Sequence, residues 1–299
     1  MNIIDKKKWY FLFSFIVIIP GIISLALFGL KLSIDFTGGS LLEVRSKTEV
    51  NNQQLHDVVS QTGIEVSSIQ KSGDKTYLIR MKQIDQDENE KIKKVLSDNS
   101  IEKLRFETVG PTIGKEISIN ALKAIVLASI LIILYIAWSF RKVPKPASSW
   151  RFGVCAIVAL IHDVLIVVGV FSLLGYFMGV EIDSLFVTAL LTVIGFSVHD
   201  TIVVFDRIRE NLRTMAGRPF AEVVNESIIQ TLNRSLNTSL TVVFVLFALL
   251  LFGGTTIRWF VVALLIGIVS GTYSSIFNAA PLLVVWHEFS LRRHSGKRA

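Results

Sequence analysis

The chain has 299 residues, of which 51% are hydrophobic and 18% charged. A soluble domain carries about a quarter charged residues, so this composition points to a chain that lives in lipid rather than in water. The formal charge of +7 invites a nucleic-acid reading, but residues 31–118 hold 13 basic against 14 acidic residues and the excess lies beside apolar runs, so no nucleic-acid partner is expected.

A helix needs about 20 apolar residues to cross the hydrocarbon core. Runs of that kind occupy residues 9–30, 119–140, 152–178, 182–205, 236–254 and 259–287, and they predict six transmembrane helices. The first run follows Lys6, Lys7 and Lys8, as a signal peptide would. It is about twice the length of a signal core and has no convincing small-x-small cleavage site, so an uncleaved anchor is expected. Cys155, the single cysteine, lies inside a span, which excludes an intramolecular disulfide and a cysteine-rich metal site. No metal or cofactor is called for.

Orientation follows from Lys and Arg. Lys6 to Lys8 precede the first span. Arg141, Lys142, Lys145 and Arg151 lie between the second and third. Arg207, Arg209, Arg213, Arg218 and Arg234 lie between the fourth and fifth, and Arg292, Arg293, Lys297 and Arg298 follow the sixth. The two short links on the opposite side hold only Arg258. Both termini are therefore expected in the cytoplasm of a bacterial plasma membrane. The predicted parts are the N-terminus and first helix (1–30), an extracytoplasmic domain (31–118), a five-helix bundle (119–287) and a basic cytoplasmic tail (288–299).

Within 31–118 the pattern alternates. Strand-like Gly39 to Arg45, Ile64 to Ile69, Thr76 to Met81 and Ile101 to Val109 are interleaved with helix-like Asn51 to Thr62 and Asp87 to Ser97. The order strand, helix, strand, strand, helix, strand predicts a small α+β, ferredoxin-like domain. Its one histidine, His56, falls on the polar side of a helix, and no carboxylate or cysteine cluster has metal spacing, so a binding or moving module is expected. Gly38 and Gly39 before the first strand, and Gly110, Pro111 and Gly114 after the last, are either ordinary turns or a pair of hinges.

Ionisable residues inside spans are costly, about 2.5–3.5 kcal/mol at a helix centre. His162 and Asp163 interrupt the third span, and His199 and Asp200 the fourth, while Asp206 and Arg207 at its end suit a local ion pair. The fifth span opens with a polar stripe of Gln230, Arg234, Asn237, Thr238 and Thr241. Chain direction puts Asp200 and Arg234 in the same half of the bilayer, either as a structural salt bridge or as a protonation relay. His199 points about 100° away from Asp200. In the last span Gly267 and Gly271 form a GxxxG, followed by Ser275, Asn278 and Pro281, which predicts close helix packing and a bend.

Four segments in this order carry a resemblance. They are DFTGGSLLEV from Asp35 to Val44, VGPTIGKE from Val109 to Glu116, FSVHDTIVVFDRIREN from Phe196 to Asn211, and LNRSLNTS from Leu232 to Ser239. Together they resemble the SecD/SecF family of protein-export proteins, part of the wider resistance-nodulation-division transporters, and the resemblance covers nearly the whole chain. Six spans with one small domain after the first fit the smaller of the family's two subunits rather than SecD.

The resemblance implies an accessory translocase subunit that uses the proton-motive force to promote preprotein export. Its partners would be SecD and the SecYEG channel, with SecA acting indirectly. It also implies that Asp200 and Arg234 do the proton coupling, with a further intramembrane aspartate supplied by SecD. Asp163, His199 and Asn237 are secondary candidates. Gly38, Gly39, Gly110 and Pro111 are the hinge candidates. Three rivals stand beside this reading: a small-molecule transporter of the wider family, an intramembrane protease using Asp163 and Asp200, and a structural stabiliser of SecD. The protease lacks a GxGD context and an HExxH motif. No covalent chemistry is expected.

Overall fold

The computed structural model describes residues 2–73, 75–141, 143–144 and 148–295. Lys142, Lys145, Lys297 and Arg298, used above for orientation, lie outside the described residues. In chain order the elements are α1 (Lys7–Phe28), α2 (Ile34–Thr37), β1 (Gly39–Ser46), α3 (Asn52–Ser60), β2 (Val66–Gly73), β3 (Thr76–Met81), α4 (Gln86–Asp98) and β4 (Ile101–Val109). The long helices α5 (Pro111–Ser139), α6 (Ser149–Met178), α7 (Ser184–Thr214) and α8 (Phe220–Phe252) follow, then α9 (Arg258–Ser274), a π turn (Ser275–Ala279) and α10 (Ala280–Ser295). Among the described residues, six helical segments are long and apolar enough to span a membrane.

Two compact units result, one of Met1–Leu30, Ala124–Val180 and Leu185–Ala299, the other of Lys31–Lys123 with Glu181–Ser184. The second unit runs on to Lys123 at the start of α5 and takes in Glu181–Ser184, the short link between α6 and α7. Its sheet runs β2-β3-β1-β4 with every neighbouring pair antiparallel. That is the split βαβ arrangement the element order predicts.

Alternation explains its core. Leu42 and Val44 of β1 sit opposite Ile79 and Tyr77 of β3, and all four point inward. Leu55 with Val59 on α3, and Ile92 with Leu96 on α4, are four residues apart and cover that face of the sheet. Each helix starts on a capping box: the Asn51 N–H donates to Gln54 at 3.0 Å, and the Glu88 N–H donates to Asp85 at 2.8 Å.

The helical unit differs in what it shows and what it hides. Leu131, Phe244 and Phe252 are exposed, as a lipid-facing surface requires, and buried serines, threonines and glycines lie inside among Phe152, Phe171 and Phe205. Helices α1 and α6 cross at Gly21 and Gly169, where a Cβ on Gly21 would stand 2.9 Å from the Gly169 Cα. Ser24 and Ser172 share a hydrogen bond of 2.8 Å beside that crossing. Gly267 and Gly271 pack on Val193 and Ser197 of α7, so the GxxxG is a helix-packing seam.

The predicted link between the fourth and fifth spans is mostly helix. Helices α7 and α8 run on past the apolar runs and leave only residues 215–219 between them. Asp206 pairs with Arg209 at 2.5 Å and Arg207 with Glu210 at 2.7 Å, so the local ion pairs here have i,i+3 spacing.

Candidate functional site

Asp200 lies near the middle of α7 and is 6% exposed. Its Oδ1 accepts the Ser235 hydroxyl of α8 at 2.6 Å, and its Oδ2 accepts the Ser275 hydroxyl of the π turn at 2.6 Å. The carboxylate thus ties three separate elements together, and every partner is neutral.

The expected pairing with Arg234 is not present. Asp200 and Arg234 are equally far along their helices, each 14 residues from its end of the α7–α8 turn. Successive residues on a helix diverge by about 100°, and Ser235, the next residue, is the one that faces Asp200. Arg234, Asn237, Thr238 and Thr241 occupy the exposed side of α8, and His199 the exposed side of α7. Among the described residues the side chains of Arg234, His199 and Asn237 have no ion pair or hydrogen bond. The inward stripe of α8 is instead Ser227, Thr231, Ser235 and Ser239, all buried and four residues apart.

A second buried carboxylate stands beside the first. Asp163 on α6 is 0% exposed. Its Oδ1 accepts from Ser270 at 2.7 Å and from His162 Nδ1 at 2.9 Å, and its Oδ2 accepts from Ser197 at 2.6 Å and Ser274 at 2.7 Å. His162 Nε2 faces the Asn278 amide at 3.0 Å and Ser14 Oγ at 3.1 Å. An amide N–H can only donate, so Nε2 accepts and Nδ1 carries the hydrogen toward Asp163. Asp163 and Asp200 are thus brought to neighbouring residues of the last span, Ser274 and Ser275. No hydrogen bond joins the two carboxylates among the described residues.

Hydrogen bonding also ties the α6–α7 link into the sheet-bearing unit. Leu32 and Ile182 form a parallel bridge, with Ser33 N–H to Ile182 O at 2.9 Å and Ile182 N–H to Lys31 O at 2.8 Å. Asp35 Oδ2 accepts the Ser184 N–H at 2.9 Å and its hydroxyl at 2.7 Å. Arg80 of β3 pairs with Glu181, both half-enclosed, and its burial pulls the guanidinium below its ordinary pKa. The hinge candidates lie at one crossing. Gly38 (φ +74°) and Gly39 (φ +117°) use backbone that favours glycine, and a Cβ on Gly38 would stand 2.8 Å from the Pro111 Cα. Gly114 approaches the Gly38 nitrogen equally closely, so the segments entering and leaving the domain touch backbone to backbone.

Sequence reasoning missed Ser14, Ser197, Ser235, Ser270 and Ser274 as carboxylate or histidine partners. Their signal was the i+4 recurrence of hydroxyls inside apolar runs, which hydropathy barely registers.

Comparison with known proteins gives two family matches. The model described as "Protein export membrane protein SecD/SecF, C-terminal" matches residues 88–289, and the one described as "SecD/SecF GG Motif" matches residues 23–50. The chain is 50% identical over 300 residues to the protein translocase subunit SecF of Thermobaculum terrenum, covering 95% of this chain and 94% of that one. It is 47% identical over 292 residues to the SecF of Anaerolinea thermophila, covering 96% and 94%. The crystal structure of SecDF from Thermus thermophilus, described as a translocon-associated membrane protein, superposes with a TM-score of 0.84 at 34% identity. That match covers 96% of this chain and 39% of the longer one.

Proposed function

We propose that this chain, which belongs to the SecD/SecF family of protein-export membrane proteins and is an accessory subunit of a protein translocase, uses the proton-motive force to promote preprotein export. The observation that carries the reading is Asp200. It is a buried carboxylate in the middle of a span, it holds three elements together through hydroxyl groups, and it has no counter-cation among the described residues. A charge so placed is expensive in lipid unless it works.

Moving one charge through 100 mV changes the free energy by about 2.3 kcal/mol, so a potential of roughly 150 mV supplies about 3.5 kcal/mol per proton. That shifts a two-state equilibrium a few hundredfold. Ser275 belongs to the last span and Ser235 to the fifth, so gain of a proton by Asp200 rearranges contacts among three helical segments. The α6–α7 link, whose helices carry Asp163 and Asp200, is hydrogen-bonded to the sheet-bearing domain, and this gives the rearrangement a route to that domain. Gly38, Gly39, Gly110 and Pro111 are the neck on which the domain moves.

His199, Arg234 and Asn237 lie on the exposed side of α7 and α8. Polar side chains at that depth need cover, and SecD supplies it; the longer SecDF chain, of which this chain matches 39%, supports the two working together. Arg234 then serves an acidic group of SecD and not Asp200 directly. The remaining partners are the SecYEG channel, the preprotein and, indirectly, SecA. The chain resides in the bacterial plasma membrane with both termini in the cytoplasm and the sheet-bearing domain outside, as the Lys and Arg distribution supports.

Translocation into membrane vesicles, with and without an imposed proton gradient, tests the reading. Asp200→Asn and Arg234→Met should retain SecD and ATP-driven export and lose the gradient-dependent part. If Asp200→Asn responds to the gradient as the wild type does, the buried charges serve only to stabilise the assembly.

A further inference from the structure

We propose that Asp163 is a second carboxylate of this chain that exchanges the coupling proton, and that Ser274 and Ser275 connect it to Asp200. The proposal extends the reading of Asp200 given above and rests on it. A serine hydroxyl has one hydrogen to give. A carboxylate that accepts only donated hydrogens must, on gaining a proton, find a partner able to turn round and accept. Without such a partner the neutral form leaves an unsatisfied buried group.

Asp200 has that partner. Ser275 Oγ donates to Asp200 at 2.6 Å and has a fallback acceptor, the Thr272 carbonyl, at 3.1 Å. Asp163 has the same device one residue earlier. Ser274 Oγ donates to Asp163 at 2.7 Å and has the Gly271 carbonyl at 3.2 Å as its fallback. When a proton adds to one Asp163 oxygen, the new O–H donates to Ser274 Oγ, whose own hydrogen turns to Gly271. When the proton leaves, the hydroxyl turns back. No atom is left unpartnered in either state.

The two serines are consecutive, and the second opens the π turn Ser275–Ala279. Turns of this kind interrupt the regular helix ladder and recur at functional sites. The same turn also carries Asn278, which faces His162 and Ser14. A change of charge at either carboxylate therefore acts on one short backbone segment that the other carboxylate also grips. The titratable groups around Asp163 are His162 on its own helix, Asp200 on α7 and Tyr273 on α9. The Tyr273 ring lies 6.5 Å from that of His162, and its hydroxyl donates to the Tyr10 carbonyl of α1. The other partners, Ser14, Ser197, Ser270, Ser274 and Asn278, do not titrate.

The test is pH-jump infrared difference spectroscopy on the full chain reconstituted with SecD in liposomes. The wild type should show two protonated-carboxyl bands from this chain, beside any that SecD contributes. Asp163→Asn should remove one and move the pH midpoint of the other by about one unit, the scale of a coupled pair; Asp200→Asn should remove the other. Ser274→Ala keeps both carboxylates and serves where Asp163→Asn does not fold. It should keep both bands and displace the midpoint of the one that Asp200→Asn leaves. Loss of no band in Asp163→Asn overturns the proposal, as does an unmoved midpoint in Ser274→Ala. Bands that respond to sodium and not to pH overturn it too. A missing Asp200 band with the Asp163 band intact would instead remove the reading of Asp200.

Discussion

The sheet-bearing domain and the helical unit invert one another. The domain buries Leu42, Val44, Leu55, Tyr77, Ile79 and Ile92 and turns its charges outward, while the helical unit buries Asp163, Asp200 and a set of serines and turns Leu and Phe outward. In water the transfer of apolar surface drives packing. In lipid that drive between helices is gone, and close backbone approach and polar contacts take its place. The same need to fill an interior is thus met by apolar side chains in one unit and by close backbone approach with polar contacts in the other.

The largest effect should come from breaking the domain's apolar interior. Ile79→Ala should destabilise the sheet-bearing domain by about 2–5 kcal/mol, through lost transfer energy and a residual cavity. Leu131→Ala, the same kind of truncation on the lipid-facing side of α5 in the helical unit, should cost far less. Hydrogen exchange of the sheet amides in the detergent-solubilised chain measures the first, and thermal unfolding the second. Equal costs would dissolve the contrast.

A middle-sized effect is expected at Arg80 and Glu181. Reversing either alone, Arg80→Glu or Glu181→Arg, places like charges in a half-enclosed contact and should release the α6–α7 link from the domain. Gradient-dependent export should fall several-fold and return in the double reversal. A double variant no better than the singles would show that the link needs more than this ion pair.

The sequence made the domain legible because alternation and capping are local. Thr76–Met81 and Ile101–Val109 emerge as strands with the bounds their pattern implies, and the split βαβ order follows. The polar interior of the bundle was half legible. His162, Asp163 and Asp200 announce themselves as ionisable groups in apolar runs, but hydropathy hardly distinguishes Ser235 from its neighbours, so the charged stripe through Arg234 drew the attention. That Ser274 and Ser275 serve two carboxylates on different helices is a tertiary fact with no local mark. Nor could four residues, Glu181–Ser184, declare that they belong with the sheet.

The smallest effect is on the domain's charged exterior. Lys71 beside Glu49, and Lys82 beside Glu65, hold both carboxyls below the ordinary carboxylate range, chiefly by hydrogen bonding. A depressed folded value means the stabilisation is present above the unfolded carboxyl pKa and is lost as pH falls through the folded one. The domain's unfolding temperature should therefore decline slightly below about pH 4, and less so in Glu49→Gln with Glu65→Gln. Both pairs are exposed, so the change should be modest.

The central claim is that Asp200 moves protons rather than merely holding helices together. Proton uptake into proteoliposomes containing this chain and SecD, driven by an imposed gradient, tests it most directly when wild type and Asp200→Asn are compared at matched thermal stability. The account predicts uptake in the wild type and its loss in Asp200→Asn while the unfolding temperature is kept; undiminished uptake in Asp200→Asn would contradict it.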